Sequence, residues 1–278
     1  MDAAWEAGIT TFDTADAYGG GRSESFIGDW LRTKGPDVRD EIVLSTKTFN
    51  PMDAGEDHGL APERVKRQLE SSLQRLGVEH VQMYLTHDWD PDVPIAETLG
   101  VLDELVHEGK IGAIGASNVD GAQLRDALAT SPATRYEWVQ NSYSLLDRGA
   151  EREVLPLCAE AGLGFTPFSP LAGGWLTGKY VRGAEAPTGS RMTMRPEPYA
   201  HLIDDDAVWR GLDGLAAAAA EQGTSRAALA LAWLLGDTRV TAVVVGPRRP
   251  EHLEPALVAL EQPVTLEQRD ELSRLFAG

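Results

Sequence analysis

The amino-acid sequence predicts an α/β protein, and within that class it favours a closed (β/α)₈ or TIM barrel over an open sheet. Short apolar runs alternate with longer amphipathic segments, which indicates βαβ units and a parallel sheet. Several runs are almost continuously apolar, as expected of strands that are covered on both faces. The chain has 278 residues, and a barrel of this kind needs roughly 250. We therefore predict a single barrel domain over residues 1–278.

Seven apolar runs are predicted to be strands. They are Ile9–Ala15, Ile42–Lys47, His80–His87, Ile111–Ser117, Trp138–Ser142, Gly164–Pro167 and Ala242–Gly246. An open doubly wound sheet that binds a dinucleotide would carry Gly-x-Gly-x-x-Gly after an early strand, and the glycine cluster at 19–21 lacks that spacing. The barrel is therefore the preferred arrangement.

The number of predicted strands is one short of the eight that a barrel contains. The chain opens with a helix-like stretch, Asp2–Ala7, which Gly8 ends, whereas a (β/α) unit begins with a strand. We therefore expect that the first strand and the N-terminal hairpin are missing and that Met1 lies inside a longer reading frame. A barrel of seven strands would leave two edges unpaired, which favours aggregation.

The predicted helices have recognisable ends. Pro62 opens one helix and Gly77 ends it. Thr265 and Gln268 form a capping box that opens the last helix. The first of these helices has an apolar stripe made by Val65, Leu69, Leu73 and Leu76.

The composition excludes several classes of protein. The formal net charge is −18, and a field of that sign repels nucleic acid and anionic membrane surfaces. No run reaches the ~18 apolar residues of a membrane span, and the N-terminus lacks the basic and apolar regions of a signal peptide. Cys158, the single cysteine, lies in an apolar stretch and is interpreted as a buried hydrophobic residue rather than a nucleophile. We expect a cytoplasmic protein with no nucleic-acid or membrane partner.

Polar residues follow the first three predicted strands, where a barrel places its active site. Asp13 and Tyr18 follow the first strand, Lys47 ends the second and His87 ends the third. Reduction of a carbonyl group requires a hydride on carbon and a proton on oxygen. The hydride must come from a cofactor, because no side chain supplies one.

These four residue types suit that reaction. A free tyrosine has a pKa of about 10, and a nearby ammonium group stabilises its phenolate form. Asp13 would pair with Lys47, while His87 would hydrogen-bond the substrate oxygen and orient it. Each residue also has a structural interpretation: an ion pair for Asp13 and Lys47, a loop aromatic for Tyr18 and a satisfied polar residue for His87. Because all four residues lie at the ends of successive predicted strands, we favour the catalytic interpretation.

With these residues assigned, the sequence resembles the aldo-keto reductase family over nearly its whole length. The stretch GITTFDTADAYGGGRSESFIG looks like the family's first signature, with Glu24 and Gly28 completing the pattern. STK and YLTH match the family's lysine and histidine motifs, and GKIGAIGASN resembles a further family segment. The resemblance implies an NADP(H)-dependent oxidoreductase that reduces aldehydes or ketones to alcohols with a tyrosine as proton donor.

The resemblance also implies cofactor-binding positions. Ser117 and Asn118 would hydrogen-bond the nicotinamide carboxamide, with Gln140 alongside, and Phe168 would stack on the nicotinamide ring. The glycine-rich stretch that follows is similar to the family's pyrophosphate loop. From this stretch we expect contacts with the cofactor from Ser169, Pro170, Leu171, Gly173, Leu176 and Lys179.

Two adjacent arginines follow the last predicted strand. Pro250 is predicted to begin a helix there, and helix N-termini bind anions. Arg248 and Arg249 suit a 2′-phosphate through bidentate hydrogen bonds, which favours NADP over NAD. Gly246 and His252 complete the expected contacts. The alternative is a solvated arginine pair beside neighbouring glutamates.

Four functions remain open at this stage. They are a reductase of small-molecule carbonyls, an NADP-binding regulatory subunit resembling potassium-channel β-subunits, an inactive truncated barrel, and an unrelated barrel enzyme such as an aldolase. In an aldolase Lys47 would form a Schiff base, but Asp13 beside it would keep it charged. The polar segment Tyr180–Asp206 is interpreted as a flap over the cofactor or substrate, or as a disordered insert. No metal site is expected.

Overall fold

A computed structural model describes residues 1–52, 55–130 and 135–277. The chain divides into two compact units, the first formed by Met1–Gln140 with Pro156–Gly164 and the second by Asn141–Leu155 with Phe165–Gly278. A single barrel domain over residues 1–278 stays a prediction.

Parallel strands and intervening helices build the α/β architecture that the sequence predicts. Strands β1 to β6 are Thr11–Asp13, Val43–Thr48, Val81–Thr86, Ile111–Ser117, Trp138–Gln140 and Gly164–Phe165. Their order in the sheet follows the chain, and the pairings from β1 to β5 are parallel. Successive βαβ units therefore form this part of the molecule, whereas closure into an eight-stranded barrel stays a prediction.

The helices lie between and after these strands. Helices α1 to α7 are Asp2–Glu6, Arg22–Arg32, Pro36–Glu41, Pro62–Leu76, Ile95–His107, Gly121–Thr130 and Val154–Ala161. Helices α8 to α12 are Arg191–Met194, Asp206–Glu221, Arg226–Leu235, Glu254–Glu261 and Leu266–Arg274. Short 3₁₀ helices occur at Gly149–Glu151, Ala172–Thr177, Ala200–Leu202 and Pro250–Leu253.

Strand β2 organises the first unit, because its side chains alternate between two faces of the sheet. Ser45 and Lys47 share one face and bond to the end of β1. Thr46 and Thr48 share the other face, where both are fully buried. The two faces therefore carry separate polar networks on either side of one strand.

Helix α4 packs on the sheet with the stripe that the sequence predicts. Val65 and Leu69 are completely buried, and burial of each such side chain contributes about 1.5–3 kcal/mol. Gly77 ends the helix in the left-handed region at φ +71°, where glycine carries no Cβ penalty. Helix α2 approaches α4 closely at Gly28, where an added Cβ would lie 2.2 Å from the backbone oxygen of Arg75. The predicted helix and its boundaries are confirmed.

Cys158 belongs to the core of the first unit. Its side chain is fully buried, and burial raises the pKa of its thiol to about 12. The interpretation as a buried hydrophobic residue is therefore confirmed, since a reactive cysteine needs an accessible thiolate.

The second unit contains the C-terminal helices. Helix α10 is buried along nearly its whole length, and the capping box of Thr265 and Gln268 is present at the start of α12. The predicted strand Ala242–Gly246 has no regular ladder, although Val244 N–H donates to the Pro167 carbonyl at 3.0 Å. Thr241 N–H likewise donates to the Phe165 carbonyl at 2.8 Å. In a parallel ladder the return bond to Thr241 would come from the N–H of residue 167, which is a proline and has none, so the ladder is interrupted there.

Within the described ranges, every helix is too short or too polar to traverse a lipid bilayer.

Candidate active site

The four residues predicted to be catalytic lie together at the carboxyl ends of β1, β2 and β3. The Lys47 ammonium nitrogen lies 2.5 Å from an oxygen of Asp13 and 5.2 Å from the ring centre of Tyr18. The ring centres of Tyr18 and His87 are 5.4 Å apart, with the rings edge to face at 74°. A phenol, an ammonium, an imidazole and a carboxylate thus share one small region of the first unit.

Lys47 is fully buried, and its ammonium group has two polar partners. It donates to Asp13 Oδ2 at 2.5 Å and to the Thr14 carbonyl at 2.8 Å. The other oxygen of Asp13 accepts hydrogen bonds from Ser45 Oγ at 2.8 Å and from Gln140 Nε2 at 3.1 Å. A buried charge is costly unless it is paired and hydrogen-bonded, and this arrangement meets both conditions.

His87 is a neutral imidazole at physiological pH. Burial, together with the positive charge of Lys47, lowers the pKa of His87 to about 4, and Asp13 offsets this only in part. Its Nδ1 is buried and has no hydrogen-bond partner among the described residues. The backbone is held on both sides, because its N–H donates to Thr48 and its carbonyl accepts from Asn118 Nδ2, both at 2.8 Å. A neutral imidazole on a backbone that is held in place can hydrogen-bond a substrate oxygen.

Tyr18 lies in a turn and is 42% exposed, so its side chain is open to solvent. Its N–H donates to the Ala15 carbonyl at 3.2 Å. Three glycines with positive φ angles follow it. A Cβ at Gly20 would come within 2.9 Å of the Met52 carbonyl oxygen, so the loop after Tyr18 approaches that backbone closely.

The residues predicted to hold a carboxamide lie at the ends of β4 and β5. Asn118 has a φ of +56°, in the left-handed region that asparagine adopts more readily than most other non-glycine residues. Its N–H donates to the Gln140 carbonyl at 3.2 Å. Ser117 and Gln140 are almost completely buried. Gln140 also contacts Asp13, so the amide and hydroxyl groups adjoin the four-residue cluster.

The glycine-rich stretch of the second unit contains several left-handed residues. Ser169 and Ala172 have positive φ angles although they are not glycines. The Lys179 ammonium packs against Gly174. A Cβ added to Gly174 would lie 2.1 Å from the ammonium nitrogen. Arg226, which the sequence did not indicate as a site residue, packs in the same way against Gly178. A Cβ added to Gly178 would lie 2.4 Å from the guanidinium carbon of Arg226. Backbone concavities of this kind, with cations beside them, bind anions in proteins.

The segment predicted to be a flap lies against this glycine-rich stretch. The Tyr180 hydroxyl donates to the Gly173 carbonyl at 3.1 Å, and the ring of Tyr199 would meet a Cβ at Gly173 at 2.6 Å. Phe168 precedes the stretch, is half-buried and donates its N–H to the Asn141 carbonyl at 3.0 Å.

The two predicted phosphate-binding arginines are exposed and have different partners. Arg248 Nη1 donates to the Gly189 carbonyl at 3.0 Å, and its N–H contacts the ring of His252 at 3.2 Å. Arg249 lies 3.9 Å from the Glu251 carboxylate, and an exposed pair at this distance is weak. Pro250 opens a 3₁₀ turn rather than an α-helix, and α11 follows it.

Among residues 1–52, 55–130 and 135–277, no group of three or more histidine, cysteine, aspartate or glutamate side chains gathers to hold a metal ion.

Comparison with known proteins adds a separate line of information. The family model described as "Aldo/keto reductase family" matches residues 1–276. The uncharacterized oxidoreductase YrpG of Bacillus subtilis (strain 168) is 36% identical over 290 residues, which cover 100% of this chain and 86% of the relative.

Two further relatives differ from each other in their named roles. The NADH-specific methylglyoxal reductase of Escherichia coli (strain K12) is 35% identical over 275 residues, covering 92% of this chain and 80% of the relative. A probable voltage-gated potassium channel subunit beta of Oryza sativa subsp. japonica is 34% identical over 271 residues, covering 94% of this chain and 80% of the relative.

Proposed function

The chain belongs to the aldo/keto reductase family of oxidoreductases, and on that premise we propose that it reduces small aldehydes or ketones to alcohols with Tyr18 as the proton donor. One observation carries the proposal. The buried Lys47 ammonium and the neutral His87 ring both adjoin the exposed phenol of Tyr18.

Each side chain has a distinct part in the reaction. Tyr18 donates its proton to the carbonyl oxygen as that oxygen gains negative charge, and proton transfer of this kind accelerates reactions by about 10²–10⁴-fold. The Lys47 ammonium stabilises the phenolate that remains. Asp13 holds Lys47 in place at 2.5 Å. His87 is neutral and orients the carbonyl by a hydrogen bond.

The residues of the chain fit a nicotinamide dinucleotide. When bound, such a cofactor supplies the hydride that no side chain can provide. Within the first unit, the hydroxyl of Ser117 and the amides of Asn118 and Gln140 are the donor and acceptor types that a carboxamide requires. Within the second unit, Phe168 offers a ring for stacking, and the Lys179 ammonium beside Gly174 suits a pyrophosphate. The other proposed contacts are Ser169, Pro170, Leu171, Gly173, Leu176, Gly246 and His252.

We propose NADPH rather than NADH as the reductant. Family membership alone does not select between them, because the Escherichia coli relative is named as NADH-specific. The reason is the pair Arg248 and Arg249, since guanidinium groups bind phosphate through bidentate hydrogen bonds. In a chain of net charge −18, adjacent exposed arginines provide the local positive charge that an anionic cofactor needs.

A second candidate function is a nucleotide-binding channel subunit, which the rice relative brings into consideration. Such a subunit would bind NADPH but need not reduce an aldehyde efficiently. Steady turnover of a simple carbonyl compound therefore separates the two functions.

The proposal is tested with purified protein, NADPH and an activated aromatic aldehyde. Tyr18→Phe is expected to lower kcat by about 10²–10⁴-fold while the Kd for NADPH changes less than about twofold. Tyr136→Phe is the matched control, because it removes a buried phenol hydroxyl whose partner is Thr86. Unchanged turnover in Tyr18→Phe would show that the proton comes from elsewhere. Failure of the wild-type chain to oxidise NADPH would refute the enzymatic function.

A further inference from the structure

Asp16 is a buried carboxylate two residues before Tyr18. Its side chain is completely buried, and Oδ1 has no hydrogen-bond partner among the described residues. Burial raises the pKa of Asp16 to about 6, with a further increase from Glu24, while Thr48 and Arg64 act in the opposite direction. A buried polar atom without a partner is costly, so a residue with only a packing role would not need this carboxylate.

Four hydrogen bonds hold the segment Thr14–Asp16 against β2. The Thr14 N–H donates to Ser45 at 2.8 Å, and the Asp16 N–H donates to the Lys47 carbonyl at 3.0 Å. The Lys47 ammonium donates to the Thr14 carbonyl at 2.8 Å. The fourth bond runs from the Thr48 hydroxyl to Asp16 Oδ2 at 2.7 Å. This fourth bond joins side chains only, and it adjoins the turn that carries Tyr18.

The direction of the Thr48 hydroxyl is set by a third side chain. Arg64 Nη1 donates to Thr48 Oγ1 at 3.0 Å, so the threonine hydrogen is left to point at Asp16. Arg64 itself is almost fully buried. Its two terminal nitrogens also donate to the carbonyls of Gly59 and Asn50 at 2.9 and 3.1 Å, whereas Nε has no hydrogen-bond partner among the described residues. The chain of bonds from Arg64 through Thr48 to Asp16 is therefore fixed at both ends.

We propose that Asp16 is a positioning residue, which through Thr48 fixes the turn of Tyr18 and so places the phenol beside Lys47 and His87. The turn closes by the bond from Tyr18 N–H to the Ala15 carbonyl, so only one residue separates Asp16 from the proton donor. A displacement of Asp16 is therefore passed on to the phenol. The inference rests on the proposed function of Tyr18.

Two buried threonines of β2 provide a matched test. Thr48→Val removes the hydroxyl that binds Asp16. Thr46→Val removes an equivalent hydroxyl, which donates at 2.6 Å to Glu24, a buried residue of α2. Both variants are expected to lower Tm by a similar amount. Only Thr48→Val is expected to lower kcat, by about 10–100-fold, because a misplacement near 1 Å has an effect of that size. The Kd for NADPH is expected to stay within about twofold in both.

Replacement of Asp16 itself separates the hydrogen bond from general disruption. Asp16→Asn keeps an acceptor for Thr48 and is expected to retain kcat within about threefold. Asp16→Ala removes the acceptor and is expected to reproduce the kcat loss of Thr48→Val. Equal kcat in the two threonine variants would overturn the inference, and so would a kcat loss in Asp16→Asn as large as that in Asp16→Ala.

Failure of this inference is distinguishable from failure of the proposed function. If wild type turns over and Tyr18→Phe does not, equal behaviour of Thr48→Val and Thr46→Val counts against Asp16 alone. If Tyr18→Phe turns over normally, the proton donor is misassigned, and the positioning role proposed for Asp16 is refuted as well.

Discussion

Replacement of Asp16 by asparagine is expected to stabilise the folded chain at neutral pH. Burial raises the pKa of Asp16 from its ordinary value of 3.8 to about 6. Between these values the folded chain retains a proton that the unfolded chain has released, so the free energy of unfolding falls as pH rises through this window. A difference of about 2 pKa units at about 1.4 kcal/mol each corresponds to about 3 kcal/mol.

Asparagine removes this charge but leaves an amide hydrogen facing the position of Oδ1, which has no partner. An unpartnered buried polar group costs about 1–3 kcal/mol, although Oδ1 already carries such a cost in the wild type. We therefore expect a gain of about 1–3 kcal/mol above about pH 6.5, with no gain below about pH 4. The downward pKa shift of His87 is common to both proteins and cancels in their difference.

The measurement is urea denaturation of Asp16→Asn and wild type across a series of pH values. Asp40→Asn, which alters an exposed carboxylate of α3, is the control and is expected to show no pH-dependent gain. A less stable Asp16→Asn at neutral pH would refute the reasoning. The same difference at low and neutral pH would refute it as well, since no proton linkage would then be involved.

Three further predictions concern the cofactor, the imidazole and the packing of helices. Alanine at both Arg248 and Arg249 is expected to raise KM for NADPH by about 10–100-fold, through loss of charge-assisted hydrogen bonds; an equal rise in KM for NADH would contradict phosphate recognition. Burial and the nearby ammonium lower the pKa of His87 to about 4. NMR titration should therefore show a neutral ring down to about pH 5. A titration midpoint near the ordinary histidine pKa would refute this prediction. Gly28→Ala places a Cβ 2.2 Å from a carbonyl oxygen and is expected to lower the free energy of unfolding by about 1–3 kcal/mol. Gly100→Ala, whose Cβ would meet nothing within 4 Å, should be neutral or stabilising in the same denaturation assay.

Local patterns in the sequence predicted much of the architecture. The stripe from Val65 to Leu76 and the glycine after it predicted α4 with its observed ends. Six of the predicted apolar runs contain strands. The seventh lies beside Phe165 and Pro167 without a regular ladder. That outcome depends on a proline in the neighbouring segment, which the run itself does not reveal.

The candidate site was predictable in its principal residues, because chemistry at the carboxyl ends of parallel strands converges on one edge. Asp13, Lys47 and His87 each lie within one residue of the end of a strand, so the strand pattern of the sequence is enough to indicate where they are. The role of Asp16 could not be predicted in this way. It depends on Thr48, which is 32 positions away along the chain, and on Arg64 beyond it.

The sequence by itself determined the order of the six strands, the ends of α4, the start of α12 and the residue types at the strand ends, because these depend on periodicity and on neighbours along the chain. Only the tertiary structure decided that Gln140 bonds Asp13 across 127 positions, that His87 is neutral and that Asp16 is buried with one oxygen unpartnered. Burial, charge and hydrogen bonding between distant segments set these properties, and such segments become neighbours only when the chain folds.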